Sequence, residues 1–378
     1  MSLHVVIDAK NLALYSGGIA AYVKPLVVAW LAHRPDVRFS LVGPAFQFGA
    51  LQAFSNWTHV AVAWPSLLPR PTRHPLYDNL LFPRALRRLA ADFVFSPYHD
   101  VRLPRPGKGP VSVMMIHDTC LDQLKDVYPA RYRAYYLAML RLNLRRAAHV
   151  ITISEASRQA ILARYQIPAE RLSVVYNTAE SDFANGLPNS VEVTNLRGAY
   201  GEARLVFYPG GSEYRKNVTR LVDALELLIR SGQQTWLLVT GALDARWARA
   251  LAGRESVVRD RVRFLGRLDA LSVKTHYAAA DAVVYPTLCE GFGRVCLEAM
   301  LLGTPIACSD LSVLREVAGD YACYFNPSDS QAIADGIRRA IALGKRSPRQ
   351  DPRFELRSVT ANFTALMDRL LATERQRA

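Results

Sequence analysis

Short runs of β-branched and aromatic residues alternate with longer amphipathic stretches along most of the 378-residue chain. This alternation is the strongest restraint on the fold, because strands separated by helix-length segments pair in parallel and form βαβ units. The segments with a strand pattern are His4–Ile7, Arg38–Val42, Phe93–Ser96, Val111–Ile116, His149–Ile153, Ser173–Val175, Leu205–Tyr208, Trp236–Thr240, Val262–Leu265, Ala282–Tyr285, Pro305–Cys308 and Cys323–Phe325. The segments with a helical pattern include Ile19–Ala32, Arg131–Ala147, Glu155–Tyr165, Val218–Ser231 and Leu271–Ala280. We therefore expect an α/β protein with parallel sheets.

The strand patterns fall into two groups separated by a polar segment, 177–203, that is typical of a connection between domains. A chain of this length also exceeds the size of one ordinary domain. We predict an N-terminal domain over residues 1–180, a linker over 181–203 and a C-terminal domain over 204–355. Residues 356–378 carry one apolar helical face, which can pack on either domain, and we group this helix with the first.

Basic residues outnumber acidic ones by 47 to 33, which gives a formal net charge of +14. Such an excess favours an anionic partner, whether nucleic acid, a lipid headgroup or a phosphorylated small molecule.

We see neither a signal peptide nor an apolar run long enough to cross a membrane, and we expect a cytoplasmic protein. The five cysteines show no Cys-x-x-Cys spacing, so we expect no metal site.

The densest chemical motif follows the predicted strand that ends at Tyr285. A loop with Glu290, Gly291, Phe292 and Gly293 leads into a helix that begins near Arg294 and contains Glu298. Ligands of parallel sheets bind beyond the carboxyl ends of the strands, where glycines and a helix N-terminus admit phosphate. The plain alternative is a turn with one solvated glutamate.

Three other segments have the same strand-to-helix setting. After Tyr208 the chain reads Pro-Gly-Gly211-Ser-Glu-Tyr-Arg215-Lys216-Asn, with two cations suited to a diphosphate. Near the N-terminus, Gly17 and Gly18 open a helix. His117 and Asp118 follow a strand, and Asp118 either contacts a sugar or acceptor or caps the next helix.

The run Glu-Gly-Phe-Gly-x3-Leu-Glu-Ala-Met-x2-Gly-Thr-Pro, residues 290–305, closely resembles the signature of glycosyltransferase family 4. The Phe-Leu-Gly-Arg-Leu segment at 264–268, followed by the Tyr-Ala-Ala-Ala-Asp-Ala segment at 277–282, resembles the part of that family that packs near the nucleotide base. The His-Asp pair at 117–118 and the Arg-Lys-Asn run at 215–217 are similar to further motifs of the family. The resemblance implies the GT-B fold, two Rossmann-like domains facing a deep cleft. It also implies a retaining enzyme that uses a nucleotide sugar, binding the acceptor on the N-terminal domain and the nucleotide sugar on the C-terminal domain.

The resemblance assigns roles to individual residues. Glu290 would hold sugar hydroxyls, Glu298 the ribose, and Lys216 the diphosphate as its main contact. His117 would position the donor sugar, so His117, Lys216 and Glu290 form the expected catalytic set. The expected donor-binding residues are Gly17, Gly18, Gly211, Arg215, Lys216, Leu265, Glu290, Gly291, Phe292, Gly293, Arg294, Val295 and Glu298.

Two departures from the family pattern affect the predicted phosphate site. Gly211 stands where many members carry Arg, and the Gly-Ile-Gly-Arg form of the N-terminal loop is Gly-Ile-Ala-Ala here, at 18–21. We expect neither glutamate to be a nucleophile, because they are too far apart along a loop and a helix to flank one bond. Retaining glycosidases, by contrast, place two carboxyl groups ~5 Å apart. The expected reaction needs no metal and no cofactor besides the nucleotide-sugar co-substrate.

The Arg-Lys-Asn and His-Asp forms are most similar to bacterial mannosyltransferases that use GDP-mannose in exopolysaccharide or O-antigen assembly. The expected acceptor is a hydroxyl of a lipid-diphosphate-linked oligosaccharide. Arginines mixed with apolar residues over 64–88 and 131–146 favour peripheral contact with the anionic inner face of the cell membrane. A UDP-sugar donor and a soluble-acceptor synthase such as a sucrose- or trehalose-phosphate synthase remain alternatives, whereas the two glutamates eight positions apart disfavour an epimerase of the same fold. Nucleic acid is not expected as a partner, since no RNA-binding motif accompanies the charge.

Overall fold

The computed structural model of the protein describes residues 2–14, 18–107, 109–125, 127–179, 183 and 188–375. It contains two compact units, of which the first comprises Met1–Thr178 with Arg353–Ala378 and the second comprises Ala179–Pro352. Among the described residues, no helix is both long enough and apolar enough to span a lipid bilayer.

The first unit is built on a seven-stranded parallel sheet with the order β3-β2-β1-β4-β5-β6-β7. Its strands are β1 (His4–Asp8), β2 (Arg38–Gly43), β3 (Trp57–Ala61), β4 (Phe93–Ser96), β5 (Val111–Ile116), β6 (His149–Thr152) and β7 (Leu172–Val174). Its helices are α1 (Lys10–Leu14), α2 (Gly18–His33), α3 (Arg70–Leu76), α4 (Phe82–Arg88), α5 (Cys120–Gln123), α6 (Ala130–Leu144) and α7 (Glu155–Tyr165), with a π-helical turn at Tyr77–Leu81 between α3 and α4.

The second unit has a six-stranded parallel sheet with the order β10-β9-β8-β11-β12-β13. Its strands are β8 (Arg204–Tyr208), β9 (Thr235–Val239), β10 (Val262–Phe264), β11 (Ala282–Tyr285), β12 (Ile306–Ser309) and β13 (Ala322–Phe325). Its helices are α8 (Ser190–Gly198), α9 (Val218–Arg230), α10 (Ala245–Leu251), α11 (Ser256–Arg259), α12 (Ala270–Ala279), α13 (Arg294–Leu301), α14 (Ser312–Ala318) and α15 (Ser330–Leu343). The last helix of the chain is α16 (Leu356–Arg375).

Both sheets have the strand order of a Rossmann fold, which confirms the predicted class of two Rossmann-like α/β units. In each sheet the order reverses beside the first strand, between β1 and β4 and between β8 and β11. At such a reversal the flanking connections leave in opposite directions and open a crevice at the carboxyl ends of the strands. The topology thus marks the loops after β8 and β11 as a ligand-binding position.

Two of the elements that the sequence analysis does not name, one strand and one helix, are exposed to solvent. Strand β3 lies at the edge of its sheet, and its side chains are exposed or half-buried, so it lacks a continuous apolar run. Residues 190–198, expected in the linker, form helix α8 in the second unit, where Arg197 donates to Asp281 at 2.8 Å. Helix α8 has no fully buried residue, which explains why its sequence looks like a polar connection.

Helix α16 packs on α2 and completes the core of the first unit. The fully buried ring of Phe363 meets Trp30 and Phe95 at centroid distances of 5.7 and 5.5 Å. The chain therefore returns to its first unit after forming the second.

Candidate active site

The loops that follow β8 and β11 are joined to each other at the reversal point of the second sheet. The backbone carbonyl of Arg215 accepts hydrogen bonds from the Leu288 N–H at 2.6 Å and from Thr287 Oγ1 at 3.1 Å. Asn217, which has a left-handed φ of +60°, donates from its amide to the Pro327 carbonyl at 2.7 Å. These bonds fix the backbone on both sides of Lys216.

Glu290 is the centre of a hydrogen-bonded cluster. Its Oε1 accepts from Tyr285 OH at 2.6 Å, from Lys216 Nζ at 2.8 Å and from Thr287 Oγ1 at 3.0 Å. The Arg215 guanidinium also donates to the same oxygen. One carboxylate oxygen is therefore shared by two cations and two hydroxyl groups.

The charges of this cluster stabilise one another. Burial alone would raise the pKa of Glu290, but the Lys216 and Arg215 cations outweigh it and lower that pKa to about 2. Burial lowers the pKa of Lys216, although Glu290 opposes this change. The Lys216 ammonium also bonds to Tyr285 OH at 2.6 Å and lies 4.6 Å from the centre of the Tyr285 ring. Glu290 is thus ionised at neutral pH and is unable to act as a general acid in this state.

Glu298 belongs to a second cluster, on helix α13. Its Oε2 accepts from the buried Tyr277 hydroxyl of α12 at 2.7 Å, and its Oε1 accepts from Arg294 at 3.0 Å. Arg294 stands one helical turn before Glu298, so the pair has the i,i+4 spacing that places side chains together. The two glutamates of the motif therefore contact different elements of the second unit.

Gly293 makes the turn into α13. Its φ is +103°, a conformation that glycine adopts without steric cost. A Cβ at this position would lie 2.4 Å from Leu314 Cδ2, so a larger residue meets both backbone strain and a clash. Gly291 and Phe292 precede it, and Phe292 and Val295 are buried.

The remaining predicted donor residues lie outside these two clusters. Leu265 follows β10, and its N–H donates to the Val239 carbonyl at 2.9 Å. Gly211 is exposed, and its carbonyl accepts from Tyr208 OH at 2.6 Å. Gly18 begins α2 in the first unit, and Gly17 lies outside the described residues.

His117 and Asp118 follow β5 in the first unit. His117 is buried, its Nε2 pairs with the Pro97 carbonyl at 2.8 Å, and burial lowers its pKa, so its ring is neutral at pH 7. It stacks on Tyr98 at a centroid distance of 5.8 Å. Asp118 Oδ1 accepts from the Cys120 N–H at 2.9 Å, a local contact just before α5, whose N-cap residue is Thr119.

Three hydroxyl groups that complete the clusters are not predicted from the sequence. Tyr285 and Thr287 have the pattern of a strand end and a loop, and Tyr277 belongs to a segment expected near the nucleotide base. The available signal for the first two is their place directly before Glu290 at the carboxyl end of a strand. No pattern in the sequence indicates that Tyr277 reaches Glu298.

A further charged cluster fills the reversal point of the first sheet. The Lys10 ammonium, fully buried, lies 2.5 Å from Asp78 Oδ1 and 2.5 Å from Asp100 Oδ2. Candidate metal-ligand atoms of His74, Asp78 and Asp100 also lie within 4.8 Å of one another. The Lys10 ammonium already contacts both carboxylates. We therefore assign Lys10, and not a metal ion, as the cation of this cluster.

Comparison with known proteins gives a consistent result for both units. Residues 16–183 match the model "Glycosyltransferase Family 4", and residues 195–353 match "Glycosyl transferases group 1". O-antigen chain mannosyltransferase B of Escherichia coli is 27% identical over 268 residues, which are 70% of this chain and 70% of that protein.

Solved structures share the fold across the whole chain. Sucrose-phosphate synthase from Thermosynechococcus elongatus has a TM-score of 0.78 at 18% identity, over 98% of this chain and 100% of that one. Anabaena HepE in complex with UDP and glucose has a TM-score of 0.65 at 18% identity, over 100% of this chain and 98% of that one. With its first unit matched by the family 4 model and its second by the group 1 model, the chain belongs to the glycosyltransferases of family 4 and has the GT-B fold.

Proposed function

We propose that the protein is a retaining mannosyltransferase. It moves mannose from GDP-mannose to a hydroxyl of a lipid-diphosphate-linked oligosaccharide in bacterial surface polysaccharide synthesis, at the inner face of the cell membrane. The similarity to an O-antigen chain mannosyltransferase supports the sugar and the pathway class. The observation that carries the proposal is the Lys216–Glu290 ion pair, whose side chains are only 11% and 12% exposed, at the reversal point of the second sheet.

Lys216 and Arg215 supply positive charge where the leaving diphosphate becomes more negative. Both cations are held on one carboxylate oxygen of Glu290, so they are in place before substrate binds. Donors that are fixed in advance lower the transition-state energy most, and removal of one typically costs about 3–4 kcal/mol. The N-terminus of α13 adds the positive end of its helix dipole at the same edge of the sheet.

The proposed roles of the other side chains follow from their charge and from the hydrogen bonds that they can form with the nucleotide sugar. Ionised Glu290 accepts hydrogen bonds from sugar hydroxyls, and Glu298 accepts them from the ribose. His117, which is neutral, is a hydrogen-bonding and positioning group for the sugar. The acceptor hydroxyl attacks from the face that the diphosphate leaves, which retains the anomeric configuration. The protein supplies the cations for this step, and we propose that no metal ion is needed.

A UDP-sugar is the second candidate donor. The fold is shared with HepE, whose structure holds UDP and glucose. The segment near Leu265 is expected to recognise the base largely through its backbone, which does not favour one base over the other. A thermal-shift comparison separates the donors, because a ligand that binds only the folded state raises the melting temperature. We expect a larger rise with GDP-mannose than with UDP-glucose at equal concentration, and the opposite order would reject mannose as the sugar.

Lys216→Ala tests the proposed chemistry. We expect turnover of the nucleotide sugar to fall by about 100-fold or more, because one charge-stabilising donor is removed. Arg230→Ala is the matched control, since it removes a cation from the far end of the helix that follows Lys216 and is 63% exposed. A loss of less than about tenfold in Lys216→Ala would reject its role. Strict dependence of the wild-type enzyme on added manganese would reject the metal-free mechanism.

A further inference from the structure

A pocket of about 640 Å³ lies in the first unit. Its walls come from α4, from the segment that connects β4 to β5, and from the residues just after α6. A volume of this size accommodates a small ligand or the polar head of a larger one.

Four arginines line this pocket, namely Arg87, Arg102, Arg105 and Arg146. Among the described residues, none of the four forms an ion pair with a carboxylate, whereas many arginines elsewhere in the chain do. The Arg146 guanidinium donates to the Leu103 carbonyl at 2.7 Å, and its pKa is lowered first by burial and then by the Arg102 and Arg105 cations. Uncompensated positive charge in a concave site favours an anion, and guanidinium groups match the geometry of phosphate oxygens.

Hydrogen bonds fix the backbone of the segment that carries Arg102 and Arg105. Asn143, fully buried, accepts from the Leu103 N–H at 3.1 Å and donates to the Val101 carbonyl at 2.7 Å. The Arg102 N–H donates to the Asp78 carbonyl at 2.9 Å. The cations are therefore presented by a fixed backbone, which reduces the entropy lost when a ligand binds.

Apolar groups share the pocket with these cations. Pro83, Leu86, Leu103 and Pro104 contribute to the lining, and Leu80, 36% exposed, is also part of it. A fully hydrophilic anion such as free phosphate gains nothing from such a surface. The combination suits an amphipathic anion, whose phosphate meets the arginines while its apolar part covers the leucines and prolines.

Within the first unit, part of the pocket lining lies at the other end of the strands from His117. Ala91 precedes β4, Pro110 precedes β5 and Arg146 precedes β6, so these lining residues mark the amino ends of the strands. His117 follows β5 and marks the carboxyl end, about 20 Å away for a six-residue strand. A ligand that binds Arg146 at the amino ends of the strands is therefore remote from His117, and its expected role is to anchor the protein.

We infer that the pocket binds the phosphate headgroup of an anionic phospholipid. This gives the proposed membrane contact a defined site, and in that sense it rests on the proposed function. Its test is separate, however, because lipid binding is measured without any sugar transfer.

Sedimentation with vesicles tests the inference. Vesicles of phosphatidylglycerol mixed with phosphatidylcholine are compared with vesicles of phosphatidylcholine alone, at low salt. The test variant is Arg87→Gln with Arg102→Gln, since both side chains are exposed and their removal leaves the Asn143 network intact. The matched control is Arg88→Gln with Arg145→Gln, which removes the same charge from neighbouring exposed positions outside the pocket.

We expect the wild-type protein to pellet with the anionic vesicles only. The pocket variant should lose about tenfold in partition coefficient, against less than about threefold for the control variant. Equal losses in the two variants would overturn the inference, because they would indicate attraction by overall charge. No loss in either variant, or no pelleting of the wild type, would also overturn it.

Two further measurements identify the ligand and separate this inference from the proposed function. A thermal shift with inorganic phosphate that is as large as that with a short-chain phosphatidylglycerol, and is lost in the pocket variant, would assign the pocket to free phosphate and reject the lipid. The pocket variant should retain the wild-type thermal shift with the nucleotide sugar, and Lys216→Ala should retain wild-type vesicle binding. Loss of vesicle binding in Lys216→Ala would reject the separation of the two sites.

Discussion

Lys10 brings one positive charge into a group of three buried carboxylates at the carboxyl end of β1. Asp78 and Asp100 contact its ammonium directly, and Asp8 Oδ1 accepts from the Lys10 N–H at 3.1 Å. Burial alone would lower the pKa of Lys10, but the carboxylates outweigh it and raise that pKa. Asp8 shows the opposite balance, since burial outweighs the attraction of Lys10 and raises the pKa of Asp8 to about 7. Asp8 therefore carries a proton in the folded cluster at mildly acidic pH.

Asp8 should make the stability of the first unit depend on pH. Its folded-state pKa of about 7 is above the unfolded value of 3.8, so its contribution is complete below about pH 4 and is lost as the pH rises toward 7. Asn resembles the protonated Asp but does not ionise. The wild type therefore loses stability between pH 5 and pH 7 through Asp8, and the Asn variant does not. The free energy of unfolding of Asp8→Asn minus that of the wild type should increase by about 2 kcal/mol over this pH range. Urea unfolding at the two pH values measures this difference.

Asp36→Asn provides the control for this experiment. Asp36 is a surface residue of the same unit, 57% exposed in its pair with Arg34. A screened surface pair contributes little, so its stability difference from wild type should be the same at both pH values. A difference for Asp8→Asn that does not change with pH would show that Asp8 holds no extra proton in the folded protein.

At the residue scale, the sequence is informative about which side chains are used but not about how they pair. Lys216 and Glu290 each stand between a strand and a helix, and that position marks them as candidates. They are 74 positions apart in the chain, and they meet because β8 and β11 are neighbours in the sheet. The bond from Lys216 to Tyr285 depends on the same adjacency, whereas Glu290 lies only five positions after Tyr285 in the chain. Local sequence pattern does not determine which strands are neighbours, so the pairing could not be predicted from it.

At the scale of elements, Gly293 couples the β11 loop to helix α13. Gly293→Ala places a Cβ at 2.4 Å from Leu314 Cδ2 and forces an L-residue to a φ of +103°. We expect the second unit to lose about 1–3 kcal/mol of stability. Turnover should fall by about tenfold or more, because the start of α13 must shift and the proposed phosphate contact with it. Thermal denaturation and steady-state kinetics measure the two effects.

Gly232→Ala separates backbone strain from the clash. Gly232 has a similar φ of +85° just after α9, but a Cβ there would have no atom within 4 Å beyond its immediate chain neighbours. This variant should lose about 1 kcal/mol from the positive φ and keep wild-type turnover. Equal turnover in the two variants would mean that the position of α13 does not matter for the reaction.

The elements themselves follow closely from local sequence pattern. Each predicted strand overlaps an observed strand, and the predicted helix Glu155–Tyr165 has the observed bounds. Among the elements that were not predicted, β3 and α8 are both largely solvent-exposed, and an exposed element carries little of the apolar periodicity on which the prediction depends. For β3 and α8, the lack of buried side chains explains why the sequence pattern does not reveal them.

At the scale of the whole molecule, the chain contributes its last helix to its first unit. The apolar face of α16 is evident from the sequence, but that pattern does not show which of the two units the helix packs against. The packing of side chains decides this, since Trp30 and Phe95 of the first unit contact Phe363. The two cores otherwise draw on separate parts of the chain.

Phe363→Ala should therefore loosen the first unit selectively. Removal of a buried aromatic ring typically costs about 3–5 kcal/mol, because the apolar contacts are lost and a cavity remains. We expect faster hydrogen exchange in β1, β4 and α2, and little change in β8 and β11. Phe325→Ala is the reciprocal control, since Phe325 is 4% exposed in the second core and should produce the reverse pattern. If Phe363→Ala instead accelerated exchange equally in both sheets, the two units would share one unfolding transition, and the division of the chain into separately stable cores would be wrong.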